Sequence, residues 1–208
     1  MAAEAPAHMT SPACDEAQLT AAEVLAANLE LSPRQLKLLA AVHEAGHMFA
    51  ADAAGLTPVA AEVRPLAAGS MTVEGDAMLM PLHPVMVTLA AGFSAVGLWL
   101  AGRGTDVNDR SVNPALCALS SDDISLCRAR CDAAGRPDLS MQDGAQAATD
   151  ILVCRWPAVL RTAYALARHR TLYPFEIRAF LAADPAQRGA AVTTYCDWQA
   201  AVGADGQQ

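Results

Sequence analysis

The chain has 208 residues, of which 53% are hydrophobic and only 5% aromatic, and its formal net charge is −8. This length suits one domain with a substantial core, and an aromatic-poor composition rich in alanine favours closely packed helices over a large sheet. The acidic balance argues against a nucleic-acid partner, because no basic stripe is available to neutralise phosphates.

The N-terminal residues 1–14 are small, polar and proline-containing, which predicts a disordered segment. They carry neither the basic start nor the apolar stretch of a signal peptide, so we expect a cytoplasmic protein. Residues 15–30 then show the apolar spacing of an amphipathic helix. The main domain is predicted to span residues 15–185, and residues 186–208 to form a C-terminal tail.

A second helix is predicted from Pro33 to Ala54 by signals at both of its ends. Ser32 is suited to the N-cap, Pro33 to the first helical position, and Gln35 completes a capping box. Gly55 is typical of the residue that follows a helix.

This helix contains the pentapeptide His43-Glu44-Ala45-Gly46-His47, an HExxH motif. Residues four apart lie one turn above each other, so both imidazoles can face one metal ion. Glu44 lies one residue round the helix, where its carboxylate can reach a water on the metal without binding the metal itself. This arrangement is typical of a zinc hydrolase, although two core histidines beside a solvated glutamate would be the structural alternative.

Downstream of the motif, residues 61–65 and 70–74 alternate in polarity and predict a small ribbon of two strands. An edge strand beside the metal helix could pair with an extended peptide, or could be an ordinary ribbon packed on helices. Residues 77–102 contain no charged side chain. The uninterrupted apolar part is at the short limit for a membrane span and contains glycines, so a fully buried helix is the preferred interpretation.

A polar loop is predicted over residues 102–114, followed by a helix that begins at the Ser120-Ser121-Asp122-Asp123 run and ends near Ala134. Residues 141–153, 156–169 and 171–183 predict three further helices. None of the six cysteines forms a CxxC pair. Cys127 and Cys131, four residues apart, could bind metal in principle, but we interpret them as small buried hydrophobic residues in a reducing compartment.

A catalytic zinc site takes three protein ligands. The residues considered for the third are His83, His169, Asp122 and Asp123, because the sequence after His47 offers no histidine or glutamate at short spacing. Asp52 lies on the same helix but is rotated away from the histidines.

The motif and the segments after it resemble the FtsH-like zinc metallopeptidases, peptidase family M41. Val42 to His47 is similar to that family's HEAGH helix, and residues 58–74 to its two strands. Ser121-Asp122-Asp123-Ile124 is similar to a family turn whose aspartate is the third zinc ligand. The similarity runs in order over about residues 36–183.

This resemblance implies a mainly α (α+β) fold built on a zincin-like HExxH helix, a small β-ribbon and a C-terminal helical bundle. It implies Zn²⁺ held by His43, His47 and Asp123, with Glu44 as general base in peptide-bond hydrolysis. The expected substrates are peptides or unfolded proteins. The chain has no GxxxxGK[ST] phosphate loop, so unfolding of substrates would need an ATPase partner acting in trans.

Residues 91–97 also depart from the resemblance, since the family's arginine and acidic residues are missing there. The alternative function is a non-catalytic, zinc-containing binding or regulatory protein that keeps the peptidase fold. Glu44 favours the enzyme, because structural zinc has no use for a general base. The sequence leaves the oligomeric state open.

Overall fold

The structure is a computed structural model that describes residues 23–64, 69–106, 110 and 112–182. The predicted disordered segment 1–14 and the tail 186–208 lie outside the described residues. Residues 15–22, the first half of the predicted helix 15–30, also lie outside them. Its described part is helical over residues 23–29, which we name α1, and Leu25 there is fully buried.

The remaining elements are mainly helical and include three short strands. In chain order the elements are α2 (Pro33–Ala53), β1 (Pro58–Val63), β2 (Gly69–Val73), α3 (Leu82–Ala101), α4 (Asn113–Leu119), α5 (Ser121–Ala133), α6 (Gln142–His169), β3 (Thr171–Leu172) and α7 (Pro174–Ala182). The predicted mainly α fold with a small β-ribbon is therefore confirmed.

Helix α2 begins and ends as its sequence predicts. The Ser32 hydroxyl accepts a hydrogen bond from the Gln35 backbone N–H, and the Gln35 side chain accepts one from the Ser32 N–H at 2.8 Å. At the other end Gly55 adopts φ +80°, and the Leu56 N–H reaches back to the Ala51 carbonyl at 2.8 Å. Such a left-handed residue closes a helix without strain only when it is glycine.

The core lies where α2, α3 and α6 pack on one another. Small residues allow a close approach: a Cβ on Gly46 would lie 2.6 Å from the Ala95 Cβ, and one on Gly144 would lie 2.7 Å from the Met86 carbonyl oxygen. Within the described residues, α3 is the one helix long and apolar enough to cross a membrane by length and composition. However, 72% of its most apolar window is buried inside the protein. The segment is thus a core helix between α2 and α6.

The sheet has the strand order β2-β1-β3, with both pairs antiparallel. Ala61 of β1 pairs with Met71 on one side and with Leu172 on the other. The predicted ribbon is therefore present with slightly earlier strand bounds, and it gains a third strand. Strand β2 lies at an edge of this sheet, and no strand within the described ranges pairs with its other side.

Three predictions about the helices were wrong. Residues 142–169 form one helix, α6, with Pro157 inside it, whereas two helices were predicted. Pro157 has no N–H to donate to the Val153 carbonyl, but Val153 is half-exposed, so water can bind that carbonyl instead. The buried residues Leu152, Trp156 and Leu160 continue one apolar face across the proline.

Residues 171–172, predicted as the start of the last helix, instead pair with β1, and α7 begins at Pro174. Helix α4 begins at Asn113, inside the end of the predicted loop. Both errors have the same cause, because short segments take their conformation from the neighbours on which they pack.

Candidate metal centre

The two motif histidines lie on the inner side of α2. The side chain of His43 is 13% exposed and that of His47 6%. Their Nε2 atoms are 2.9 Å apart, and the ring planes are close to perpendicular, at 83°. The i, i+4 spacing therefore brings one nitrogen of each ring to a common point, as expected from one turn of helix.

The orientation of His47 is set by the backbone of α3. Its Nδ1–H donates to the Thr88 carbonyl oxygen at 2.7 Å. Because a carbonyl can only accept, this bond places the proton of the neutral ring on Nδ1 and leaves the lone pair of Nε2 directed at the site. Histidines that bind metals are commonly held in this way, by a carbonyl on the outer nitrogen.

Helix α5 brings in the third group from 80 residues away in sequence. The Oδ2 atom of Asp123 lies 3.0 Å from the His43 Nε2 and 3.3 Å from the His47 Nε2. Its neighbour Asp122 is exposed, as expected from the roughly 100° between adjacent helical residues.

The other residues considered for the third position lie elsewhere. His83, in the first turn of α3, and His169, in the last turn of α6, are both exposed. Asp52 pairs with Arg155 of α6 at 2.7 Å and so joins α2 to α6. The structure thus brings together His43, His47 and Asp123, while their role as ligands stays a prediction.

The spacing of the three donor atoms fits a small tetrahedral cation. They are separated by 2.9, 3.0 and 3.3 Å, whereas the donors of an ideal site with zinc–nitrogen distances of about 2.0–2.1 Å lie about 3.3 Å apart. Two imidazole nitrogens and one carboxylate oxygen are also a donor set that zinc accepts in catalytic sites. Among the described residues these three are the group of histidine, cysteine and acidic side chains close enough to hold one ion.

Glycine on α3 makes room for this arrangement. A Cβ on Gly92 would lie 2.5 Å from the His47 Nε2 and 2.6 Å from the His43 Nε2. The helix backbone therefore forms a close wall behind both donor nitrogens. Any larger residue at position 92 would push them apart.

Glu44 lies beside the donors and is 4% exposed. A Cβ on Gly69 of β2 would collide with its carboxylate, so the strand covers this side chain at the closest possible range. Within the described structure its Oε2 has no hydrogen-bond partner. Burial raises the pKa of Glu44, which makes this carboxylate a better proton acceptor than an exposed one.

The cluster is electrostatically suited to positive charge. Burial by itself would lower the pKa of His47, but attraction to Asp123, the hydrogen bond with it and attraction to Glu44 raise that pKa to about 9. Burial would raise the pKa of Asp123, but His47 and the hydrogen bonds from both rings hold it well below its usual range. The carboxylates therefore stabilise a cation at this point, either a proton or a metal ion.

These side chains line a cavity of about 200 Å³. Its walls come from α2, β2, α3, the end of α4 and the start of α5. Apolar residues make up much of the lining: Leu39, Ala40, Met71, Leu89, Leu119 and Leu126.

Sequence reasoning missed the contribution of three of these positions. The Thr88 carbonyl leaves no sequence signal, since every residue has one. Gly69 lies in a strand and Gly92 in a buried helix. A glycine in such a position indicates that another group packs closely on the backbone, but the sequence does not show which group.

No protein-family model matches this chain, and no curated protein matches it either.

Proposed function

We propose that this protein is a zinc-dependent metallopeptidase that resembles the protease domain of the FtsH-like enzymes. One observation carries the proposal. Two histidines of α2 and an aspartate of α5 bring their donor atoms within 3.3 Å of one another. A buried glutamate of the same HExxH motif lines the same cavity. A structural site needs the three donors but not the glutamate.

In this proposal each residue has one role. His43, His47 and Asp123 would hold Zn²⁺, which would supply a Lewis acid able to polarise a carbonyl group and to acidify a water. Glu44 accepts a proton from the attacking water and returns it to the leaving amine. The raised pKa of its buried carboxylate suits both halves of that transfer. Thr88 keeps the His47 ring in the required tautomer through its carbonyl oxygen.

The substrate would be an extended peptide or an unfolded protein segment. Gly69, Ser70 and Met71 of β2 line the cavity. One side of this strand pairs with no other strand among the described residues, and it offers backbone donors and acceptors next to the donor cluster. A peptide that pairs with this edge would pass Glu44 with its backbone extended. An ATPase that delivers unfolded segments in trans is compatible with this arrangement.

The alternative is a non-catalytic zinc-containing binding or regulatory protein. A Glu44→Gln variant separates the two functions, because it keeps the size of the side chain and removes the proton acceptor. For a peptidase we expect about one zinc per chain in wild type and variant alike, with peptide cleavage reduced at least ~10²-fold in the variant.

The experiment measures zinc content and casein cleavage on the same samples of wild type, Glu44→Gln and a His43→Ala, His47→Ala double variant. The double variant is the control for metal-dependent activity and should lose both zinc and cleavage. Full zinc occupancy in the double variant would contradict the site. Unchanged cleavage in Glu44→Gln would contradict the catalytic role.

A further inference from the structure

A buried arginine holds the loop between β2 and α3. Arg130 of α5 is 6% exposed. Its Nη1 donates to the Met78 carbonyl oxygen at 2.6 Å and its Nη2 to the Met80 carbonyl oxygen at 2.5 Å. Burial of a guanidinium is costly, so a position that keeps one calls for an explanation.

The residue between those two carbonyls points into solvent. Leu79 is 85% exposed, the largest exposed fraction among the big apolar side chains of the described structure, and Met78 is 39% exposed. The loop is also fixed from its other side, where Asp76 accepts hydrogen bonds from the Met78 N–H at 2.8 Å and the Leu79 N–H at 2.9 Å. A single exposed leucine is ordinary, but this one is presented by a loop that hydrogen bonds hold at Met78, Leu79 and Met80.

Met80 completes the anchoring of this loop. It packs on a small apolar cluster formed by α3 and α5. The same cluster contains Cys127 and Cys131, so the prediction that these cysteines are buried hydrophobic residues is confirmed for this part of the fold. The members of the cluster are Val85, Met86, Leu89, Cys127 and Cys131.

The loop is bound by the same helix that carries Asp123. Arg130 follows Asp123 by seven residues on one face of α5, which is about 10 Å along the helix axis. Strand β2 leaves the cavity at Met71 and continues toward the same loop. An extended chain advances about 3.3 Å per residue, so a bound peptide that ran parallel to α5 would cover 10 Å in about three residues.

We propose that Met78 and Leu79 form an apolar subsite for the polypeptide substrate, about three residues from the bond that is cleaved. The occupant is an apolar side chain of a chain that already pairs with β2. Arg130 is a positioning residue that keeps the subsite in register with the metal centre. This inference rests on the proposed peptidase function and adds a sequence preference to it.

The test uses zinc-loaded full-length Glu44→Gln protein, which should bind peptides without cleaving them. The probes are fluorescein-labelled Gly/Ser decapeptides with a central leucine and a second leucine one to five residues away on either side. Fluorescence anisotropy should show the tightest binding at a spacing of three or four residues on one side only.

Adding Leu79→Ser should weaken binding of that best peptide roughly tenfold, from the lost burial of one leucine side chain. It should leave a peptide with serine at the second position unaffected. Val153→Ser, which removes an apolar side chain that is 50% exposed on α6, is the control and should change neither affinity.

Arg130→Lys keeps the charge but lacks the planar fork whose two nitrogens hold the two carbonyls, so it should weaken binding of the best peptide as Leu79→Ser does. In the active protein, Leu79→Ser should raise KM for that peptide and leave kcat unchanged. If Leu79→Ser keeps the same preference for leucine spacing, the subsite is refuted. A sedimentation coefficient that falls in this variant would also refute it, because it would identify a second copy of the chain as the occupant.

Failure of the subsite is distinguishable from failure of the proposed function. If wild type binds zinc and cleaves casein but Leu79→Ser binds every peptide as its parent does, only the subsite is refuted. If wild type neither binds zinc nor cleaves, the peptidase proposal fails whatever the peptide series shows.

Discussion

Gly92→Ala should abolish zinc binding at the proposed metal centre by adding one methyl group to α3. The new Cβ would lie 2.5 Å from the His47 Nε2 and 2.6 Å from the His43 Nε2, about 0.9 Å short of the 3.4 Å at which ordinary contact begins. Helix α3 cannot easily move away from α2, because α6 already packs on it, with Gly144 lying against the Met86 carbonyl. The imidazoles must therefore move.

The size of this movement sets the expected loss. Distances from donor atoms to a bound metal are tolerated within about 0.2 Å, so a displacement of about 0.9 Å removes a nitrogen from the coordination sphere. Changes that merely loosen the support of a ligand cost 10–100-fold in metal affinity. Because both rings are displaced here, we expect a loss of more than about 100-fold.

Competition with a chromogenic chelator measures this affinity, and Gly97→Ala is the matched control. Gly97 lies on the same helix, and nothing would meet its Cβ within 4 Å. Alanine there should keep zinc binding and raise stability by about 0.5–1 kcal/mol through helix propensity. Zinc affinity in Gly92→Ala within tenfold of wild type would refute the proposed position of the donors.

Three further predictions follow from the site and the backbone. Zinc must displace the proton that His47 holds with a pKa of about 9. The apparent zinc affinity should therefore rise about tenfold per pH unit from about pH 6.5 to 8.5 and level off above about pH 9. A zinc affinity that is already constant above about pH 7.5 would show that this pKa is not raised. Asp123→Asn should weaken zinc binding strongly, and Asp122→Asn should leave it nearly unchanged. The opposite order of affinities in a chelator competition would assign the ligand role to Asp122. Arg170 caps α6 at φ +71°, so Arg170→Gly should raise the free energy of unfolding by about 0.5–1 kcal/mol; Arg168→Gly, inside the same helix, should lower it by about 1 kcal/mol in the same urea titration.

The elements that the sequence predicted well are those specified by neighbouring residues. The bounds of α2 follow from a capping box at Ser32 and Gln35 and from Gly55, all of which act over one turn. The facing of His43 and His47 needs only the helical repeat. The burial of α3 follows from a long uncharged stretch that contains small residues.

The resemblance to a known turn, rather than any spacing, suggested Asp123 as the partner of the histidines. Residue chemistry alone left four residues open as the third ligand. Only the packing of α5 on α3 decides that Asp123 faces the histidines while Asp122 is exposed. Position along a chain cannot specify a contact between residues 80 apart in sequence.

Tertiary packing also decided features that contradict local signals. Pro157 is a helix breaker by itself, yet α6 continues through it because its buried face gains more from packing on α2 and α3 than one missing hydrogen bond costs. Thr171 and Leu172 form a strand because they pair with the side of β1 that β2 leaves open. Arg130 fixes the exposed Leu79 through two carbonyl groups that carry no sequence signal. Local rules describe a segment in isolation, whereas these outcomes depend on which surface each segment meets in the folded chain.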